Sequence, residues 1–202
     1  MSRIVLASHN RGKVAELRRI LGGLDIVGLD EFPGAPDVAE TELTFEGNAL
    51  LKARAIAAFT GLPAVADDSG LCVDALNGMP GVLSARWSGR FGAAGGDRDL
   101  ANLQLLIDQV ADVADEQRGA AFVCAAVLVV PGGAEHCVEG RMRGALLREP
   151  RGTGGFGYDP IFVPDGETRT TAEMAPHEKD AISHRGKAFR DLADIVAAAG
   201  LP

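Results

Sequence analysis

Cysteine is scarce in this chain: three in 202 residues, Cys72, Cys124 and Cys137. The number is odd, no Cys-x-x-Cys spacing occurs, and each cysteine sits among apolar neighbours. A disulfide framework and a cysteine-built metal site are therefore disfavoured, and buried reduced thiols are expected. Excess positive charge is also missing. Lys and Arg number 20 against 28 Asp and Glu, a net charge of −8. That balance argues against direct nucleic-acid binding and against anionic membrane surfaces, but not against a small anion held by a few placed cations. No apolar run reaches transmembrane length, and Met1-Ser-Arg-Ile-Val-Leu-Ala-Ser-His9 is too poor in apolar residues for a signal peptide. A cytoplasmic protein is expected, with no membrane partner. Internal repeats, low-complexity tracts and interdomain linkers are absent as well. What is present is 47% hydrophobic and 24% charged. That suffices for a sizeable core in one domain over residues 1–202, with two lobes compatible with the length.

The organising stretch is 62–76. Residues 63–66 read as a buried strand that ends in Asp67-Asp68-Ser69-Gly70, after which apolar residues resume at Leu71. All four residues favour turns, and a plain turn is one reading. The other starts from desolvation and repulsion. Two adjacent carboxylates at a core strand end are unfavourable unless a cation lies between them and a polyanionic ligand. Strand alternation sends Asp67 and Asp68 to opposite faces, so one of them points into any given cleft.

Along the chain, residues 3–7 read as a first strand buried on both faces. Ser8-His9-Asn10-Arg11-Gly12-Lys13 follows, then an amphipathic helix over 14–21. Strand, glycine-containing polar loop and helix together offer backbone N–H groups and a positive helix end to a phosphate. The spacing is not that of a Walker A loop. A capped helix start with exposed cations is the alternative. Residues 25–29 suggest a second strand and 30–44 an acidic, proline-containing loop. Thr44 is a plausible N-cap for an alanine-rich helix over 45–60, which Gly61 and Pro63 stop. Asn48 and Lys52, four apart, share a face of it. The glycine-rich span 77–96 reads as a mobile loop or lid. A helix over 98–113 follows, with Leu100, Leu103, Leu106, Ile107 and Val110 on its apolar side. Residues 120–130 and 135–144 form a hairpin around the turn 131–134. In 152–162, glycines surround Phe156, Tyr158 and Asp159. Glycine lets backbone approach a flat ligand and an aromatic ring offers a stacking face, although a glycine-rich turn with core aromatics fits equally. The stretch 175–199 is helical, with a break at Ser183 that puts His184 and Arg185 at a helix start. Helices mixed with strands, one pair of them a hairpin, give an α/β fold with a mixed sheet and flanking helices.

Together these pieces supply a cationic phosphate loop, the acids Glu40 and Asp68 for a hard metal ion, a flat-ligand platform at 156–159, and a basic pair at 184–185. The chain resembles the noncanonical purine nucleoside triphosphate pyrophosphatases, also called inosine triphosphate pyrophosphatases. The resemblance rests on Ser8-His-Asn-Arg-Gly-Lys13, Thr44-Phe-Glu-Gly-Asn-Ala-Leu-Leu-Lys-Ala53, Ala66-Asp-Asp-Ser-Gly-Leu71, Pro80-Gly-Val-Leu-Ser-Ala-Arg86, Gly152-Thr-Gly-Gly-Phe-Gly-Tyr-Asp-Pro-Ile-Phe162 and Ile182-Ser-His-Arg-Gly186. It implies an elongated two-lobed α/β domain with a central substrate cleft, a homodimer, and Mg²⁺-dependent hydrolysis of ITP, dITP and XTP to monophosphate and pyrophosphate. Such an activity would cleanse the nucleotide pool and keep these bases out of DNA and RNA.

Residue roles follow from the same resemblance. Ser8, His9, Asn10, Arg11, Gly12 and Lys13 would cradle the triphosphate, and Lys52 would contact phosphate or acid. Glu40 and Asp68 would hold Mg²⁺, with Asp68 taking the proton of the attacking water. Ser69 would bond the substrate. Phe156 would stack on the base beside Gly157, Tyr158 and Asp159. Lys179, His184 and Arg185 would meet the base edge, where a 6-oxo group accepts hydrogen bonds. One departure stands out: the family commonly carries Glu directly before the helix asparagine, whereas here Gly47 occupies that place and Glu46 precedes it. Two rival classes remain at this stage. One is a nucleotide-binding regulator without turnover, which needs no metal-bound acid. The other is a standard-nucleotide triphosphatase or a nucleic-acid-linked enzyme, which the net charge of −8 fits less well.

Overall fold

Six strands form one sheet in the order β2-β1-β3-β4-β5-β6. The structure, a computed structural model, describes residues 3–8, 14, 18, 25–94 and 96–198. In chain order the elements are β1 (Arg3–Leu6), β2 (Asp25–Val27), α1 (Phe45–Thr60), β3 (Ala64–Val73), α2 (Gly89–Ala94) and α3 (Arg98–Gln109). They are followed by β4 (Gly119–Val129), β5 (Glu135–Leu146), β6 (Phe162–Pro164), α4 (Pro176–Ile182) and α5 (His184–Ala198). β1 pairs in parallel with β2 and with β3, while β5 pairs antiparallel with β6. The sheet is thus mixed and flanked by helices, as expected. Among the described residues no helix is long and apolar enough to cross a membrane.

The chain divides into two compact units, and β3, β4 and β5 each run from one into the other. The first holds residues 1–68, 124–140 and 184–202; the second holds 69–123 and 141–183. In the first, alternation along β1 and β3 sends side chains to two cores. Ile4, Leu6 and Val65 pack with Phe189 and Leu192 of α5. Val5, Ala7, Ala64 and Ala66 pack with Ala49, Ala53 and Ile56 of α1. Strands covered on both faces read as continuous apolar runs, which is why β1 lacks a polar alternation. In the second unit one core joins Leu71, Val73, Leu103, Leu106, Phe122, Met142 and Phe162.

Several expectations are corrected. β3 does not end at the acidic pair; it runs through Asp67, Asp68, Ser69 and Gly70 to Val73, so the turn reading is excluded. The described residues of 77–96 are not irregular throughout: a 3-10 helix spans Gly81–Arg86, α2 follows, and Ser84 and Ser88 are buried. Leu100 is 60% exposed, outside the apolar face of α3 that Leu103 and Leu106 form. Of the three cysteines Cys124 alone is buried; Cys72 is half-buried and Cys137 exposed, on the outward side of β5. The second strand stops at Val27, where a 3-10 turn over Leu29–Glu31 takes over. Of the helix expected over 14–21, Val14 and Arg18 are described, and both are helical.

Candidate active site

In the first unit the acidic pair is served by two helices, one for each carboxylate. Asp67 lies on the α5 side of the sheet with Val65, and Asp68 on the α1 side with Ala64 and Ala66, as alternation requires. Arg185 Nε donates to Asp67 Oδ2 at 3.2 Å, both side chains being almost fully buried. Arg185 stands in the first turn of α5, where a cation opposes the helix dipole and where no acid of the helix itself compensates. The Asp67 carboxylate supplies that compensation. On the other side Asn48 Nδ2 donates to Asp68 Oδ2 at 3.0 Å. One turn further along α1, Lys52 Nζ donates to Glu40 Oε1 at 2.6 Å and to the Asp67 carbonyl at 2.8 Å. Lys52 thereby holds the Glu40 carboxylate beside the backbone of the acidic pair.

α1 is placed by local chemistry. Thr44 Oγ1 accepts from Gly47 N–H at 3.0 Å, closing the N-terminus, and Gly61 ends the helix in the left-handed region. Gly47 has a packing reason: a Cβ there would meet Glu42 Cβ at 2.7 Å. The loop before the helix fills the space that the usual glutamate would take. Glu46 stands one place earlier in the first turn of α1. Its carboxylate faces Cys137 of β5, whose thiol, partly covered although the residue is exposed, is pushed up to about 11 by partial desolvation and then by the Glu46 charge. Gly140 of β5 is a second close approach, since a Cβ there would lie 2.0 Å from the His184 carbonyl oxygen and 2.6 Å from Ala188 N. The start of α5, carrying the buried His184 and Arg185, rests directly on the bare β5 backbone.

The second unit builds the aromatic platform around Asp159, which is 3% exposed. Its Oδ2 accepts from Phe156 N–H at 2.9 Å and from Lys179 Nζ, and its Oδ1 from Thr171 Oγ1 at 2.8 Å. Gly155, at φ +71°, is obligatory: a Cβ would fall 2.0 Å from Asp159 Oδ2. Phe156 is left 59% exposed, with Lys179 Nζ 5.2 Å from its ring centroid. A cavity of about 310 Å³ opens beside it, lined by Asp97, Asp99, Leu100, Thr153, Phe156 and Pro160 among others. Gly157 donates its N–H to Asp99 Oδ2 at 3.1 Å. Tyr158 belongs to the core instead: its ring is buried, its hydroxyl donates to the Ser84 carbonyl at 2.9 Å, and burial raises the phenol well above its usual range.

Of the residues expected at the site, Glu40, Asp68, His184 and Arg185 lie in the first unit with the described Ser8. Ser69, Phe156, Gly157, Tyr158, Asp159 and Lys179 lie in the second. His9, Asn10, Arg11, Gly12 and Lys13 lie outside the described residues. Asn48, Asp67, Asp99 and Thr171 were not assigned a role from sequence. The four-residue spacing of Asn48 and Lys52 pointed to the first of these, whereas Asp99 and Thr171 gave no local signal.

A model of the Ham1 family matches residues 4–195. The chain belongs to the Ham1 family. A Streptomyces coelicolor protein named dITP/XTP pyrophosphatase is 61% identical over 200 residues, 97% of this chain and 98% of the relative. A crystal structure of a nucleoside-triphosphatase / dITP/XTP pyrophosphatase from Mycobacterium abscessus is 56% identical, covers 94% of this chain and 98% of its own, and superposes with a TM-score of 0.77. A HAM1 protein structure from Coxiella burnetii reaches a TM-score of 0.87 at 42% identity, over 98% of this chain and 100% of its own. The family expected from the motifs is the family found.

Proposed function

We propose that this chain hydrolyses dITP, ITP and XTP to the nucleoside monophosphate and pyrophosphate, with Mg²⁺, and so clears these nucleotides before they enter DNA or RNA. The observation that carries the reading is the acidic centre of the first unit, where α1 fixes Asp68 and Glu40 through Asn48 and Lys52. Full-length relatives named dITP/XTP pyrophosphatase support the substrate class.

The donor set suits Mg²⁺. Glu40 of the loop and Asp68 of β3 carry hard carboxylate oxygens, and α1 holds both through Lys52 and Asn48. Mg²⁺ is commonly held by one or two carboxylates and completed by water and phosphate oxygens. Glu40 and Asp68 would hold it, and the ion would supply charge neutralisation at the phosphates. Asp68 accepts the proton of the water that attacks the α-phosphorus. The 8–13 loop, with Lys13 as its point charge, binds the phosphates, and Ser69 hydrogen-bonds the substrate. Phe156 stacks on the purine while Gly157 and Asp159 shape its wall. Tyr158 supports that wall from the core.

Lys179, His184 and Arg185 present donors to the base edge. Inosine and xanthine carry a 6-oxo acceptor there, whereas adenine carries a 6-amino donor. A buried donor left unpaired costs about 1–3 kcal/mol, or roughly ten- to hundredfold in discrimination. Guanine shares the 6-oxo group, so its rejection falls to groups around the 2-position near 156–159. The protein acts as a cytoplasmic homodimer in this reading.

The test is product analysis. With Mg²⁺, dITP should give dIMP and pyrophosphate, at a kcat/KM at least tenfold above that for dATP. Release of dIDP and phosphate, or equal use of dATP, would refute the reading. Tight dITP binding without turnover would favour a regulator.

A further inference from the structure

We propose that Asn48 is a positioning residue that sets the orientation of the Asp68 carboxylate and ties it to the loop carrying Glu40. This role rests on the reading of Asp68 as the general base. Asn48 is fully buried in the first turn of α1, so both ends of its amide must find partners. Its Oδ1 accepts from the Glu42 backbone N–H at 2.9 Å, and its Nδ2 donates to Asp68 Oδ2 at 3.0 Å. The direction is enforced. A backbone N–H can only donate, so Oδ1 must face Glu42 and the amino end must face Asp68. Turning the amide over would set donor against donor at the loop and oxygen against carboxylate at the strand.

Lys52, one turn along the same face, makes the complementary pair of bonds. Asn48 joins loop backbone to strand side chain; Lys52 joins loop side chain, Glu40, to strand backbone, Asp67. The two acids are thereby held in one frame from α1. Asn48 itself touches no substrate. It takes one lone-pair direction of Asp68 with a neutral donor and so fixes the plane in which the carboxylate meets the attacking water. No other side chain of this length does both jobs. Aspartate would satisfy Glu42 but point a second oxygen at Asp68, and alanine would remove both bonds at once.

An exchange of partners in the full chain tests this. Asn48→Asp should lower Tm by about 4–10 °C, since two carboxylates then face each other in a buried place. Asn48→Asp combined with Asp68→Asn restores donor and acceptor in reverse order. It should recover most of that Tm without metal or substrate present, while remaining inactive. Asn48→Ala should lower kcat for dITP about 10- to 100-fold with KM within about threefold. A double variant no more stable than Asn48→Asp, or a wild-type kcat in Asn48→Ala, would overturn the proposal. Should Asn48→Asp fail to fold, its rescue by Asp68→Asn is the expected result. A wild-type chain that leaves dITP intact would instead refute the functional reading. Tm recovery in the double variant would then still establish the bond.

Discussion

Gly140→Ala puts one methyl group where β5 has none to spare. The added carbon would lie 2.0 Å from the His184 carbonyl oxygen and 2.6 Å from Ala188 N. Both are backbone atoms of α5, so no side-chain rotation relieves the contact. Ordinary contact distances require the first turn of α5 to move off the strand by about 1 Å, an overpacking that typically costs ~1–3 kcal/mol. For a chain of this size that is a fall in Tm of about 2–12 °C. The functional effect is sharper, because the displaced turn carries His184 and Arg185 and the 3.2 Å bond from Arg185 to Asp67. A shift of this size in a positioning group can cost about a hundredfold in rate. The assay pairs thermal denaturation with kcat/KM for dITP, and uses Gly144→Ala as the control. A methyl there would lie 2.2 Å from the Val163 carbonyl, an overpacking within the second unit. Both variants should lose stability, while Gly140→Ala loses far more activity per folded molecule. Wild-type Tm and activity in Gly140→Ala would refute the reasoning, and equal loss of activity in both would detach α5 from catalysis.

Phe156→Ala should leave Tm nearly unchanged, since the ring is 59% exposed. It should raise KM for dITP about tenfold or more through lost base stacking, as substrate titration would show. Asp159→Asn leaves Lys179 without its carboxylate partner. Breaking a fully buried pair costs ~3–5 kcal/mol, and the effect on Tm should be smaller here because Lys179 keeps some solvent contact; the dITP-over-dATP ratio of kcat/KM should fall with it. Cys137, whose thiol is held up at about 11 by partial desolvation and by Glu46, stays protonated at neutral pH. Its alkylation rate should keep rising toward pH 11 instead of levelling off near 9, and Glu46→Gln should move that rise to lower pH.

The parts of the fold that were legible in the sequence are those decided within a few residues. α1 runs from the Thr44 cap to the Gly61 stop because a hydroxyl, an N–H and a left-handed glycine suffice to bound it. The break at Ser183 between α4 and α5 is likewise local. In the acidic stretch of β3 the split of Asp67 and Asp68 between two faces was legible, but the continuation of the strand through them was not, because their partners are remote. Asp67 is satisfied by Arg185, 118 residues away, and Asp68 by Asn48, 20 residues away. With these bonds made, residues that favour turns remain in a strand. Glycines misled in 77–96, where they join helical turns and not an irregular span, and Leu100 was misplaced because the buried side of α3 is made by Asn102, Leu103 and Leu106. In the platform, the sequence left a stacking ring and core aromatics equally open, and the structure has one of each, Phe156 exposed and Tyr158 buried. That Tyr158 is a core residue anchored to Ser84, and that Asp159 gathers Phe156, Thr171 and Lys179, required the tertiary contacts.

The central claim is that Asp68 runs the hydrolysis of a noncanonical purine triphosphate, and single-turnover measurement on Asp68→Asn with saturating dITP and Mg²⁺ tests it most directly. The change keeps the size of the side chain and removes its charge and basicity. The account predicts a rate lower by about 10²- to 10⁴-fold, while Asp67→Asn, on the opposite face with Arg185, loses less per folded molecule. An Asp68→Asn chain that turns over dITP within a few-fold of wild type would contradict it.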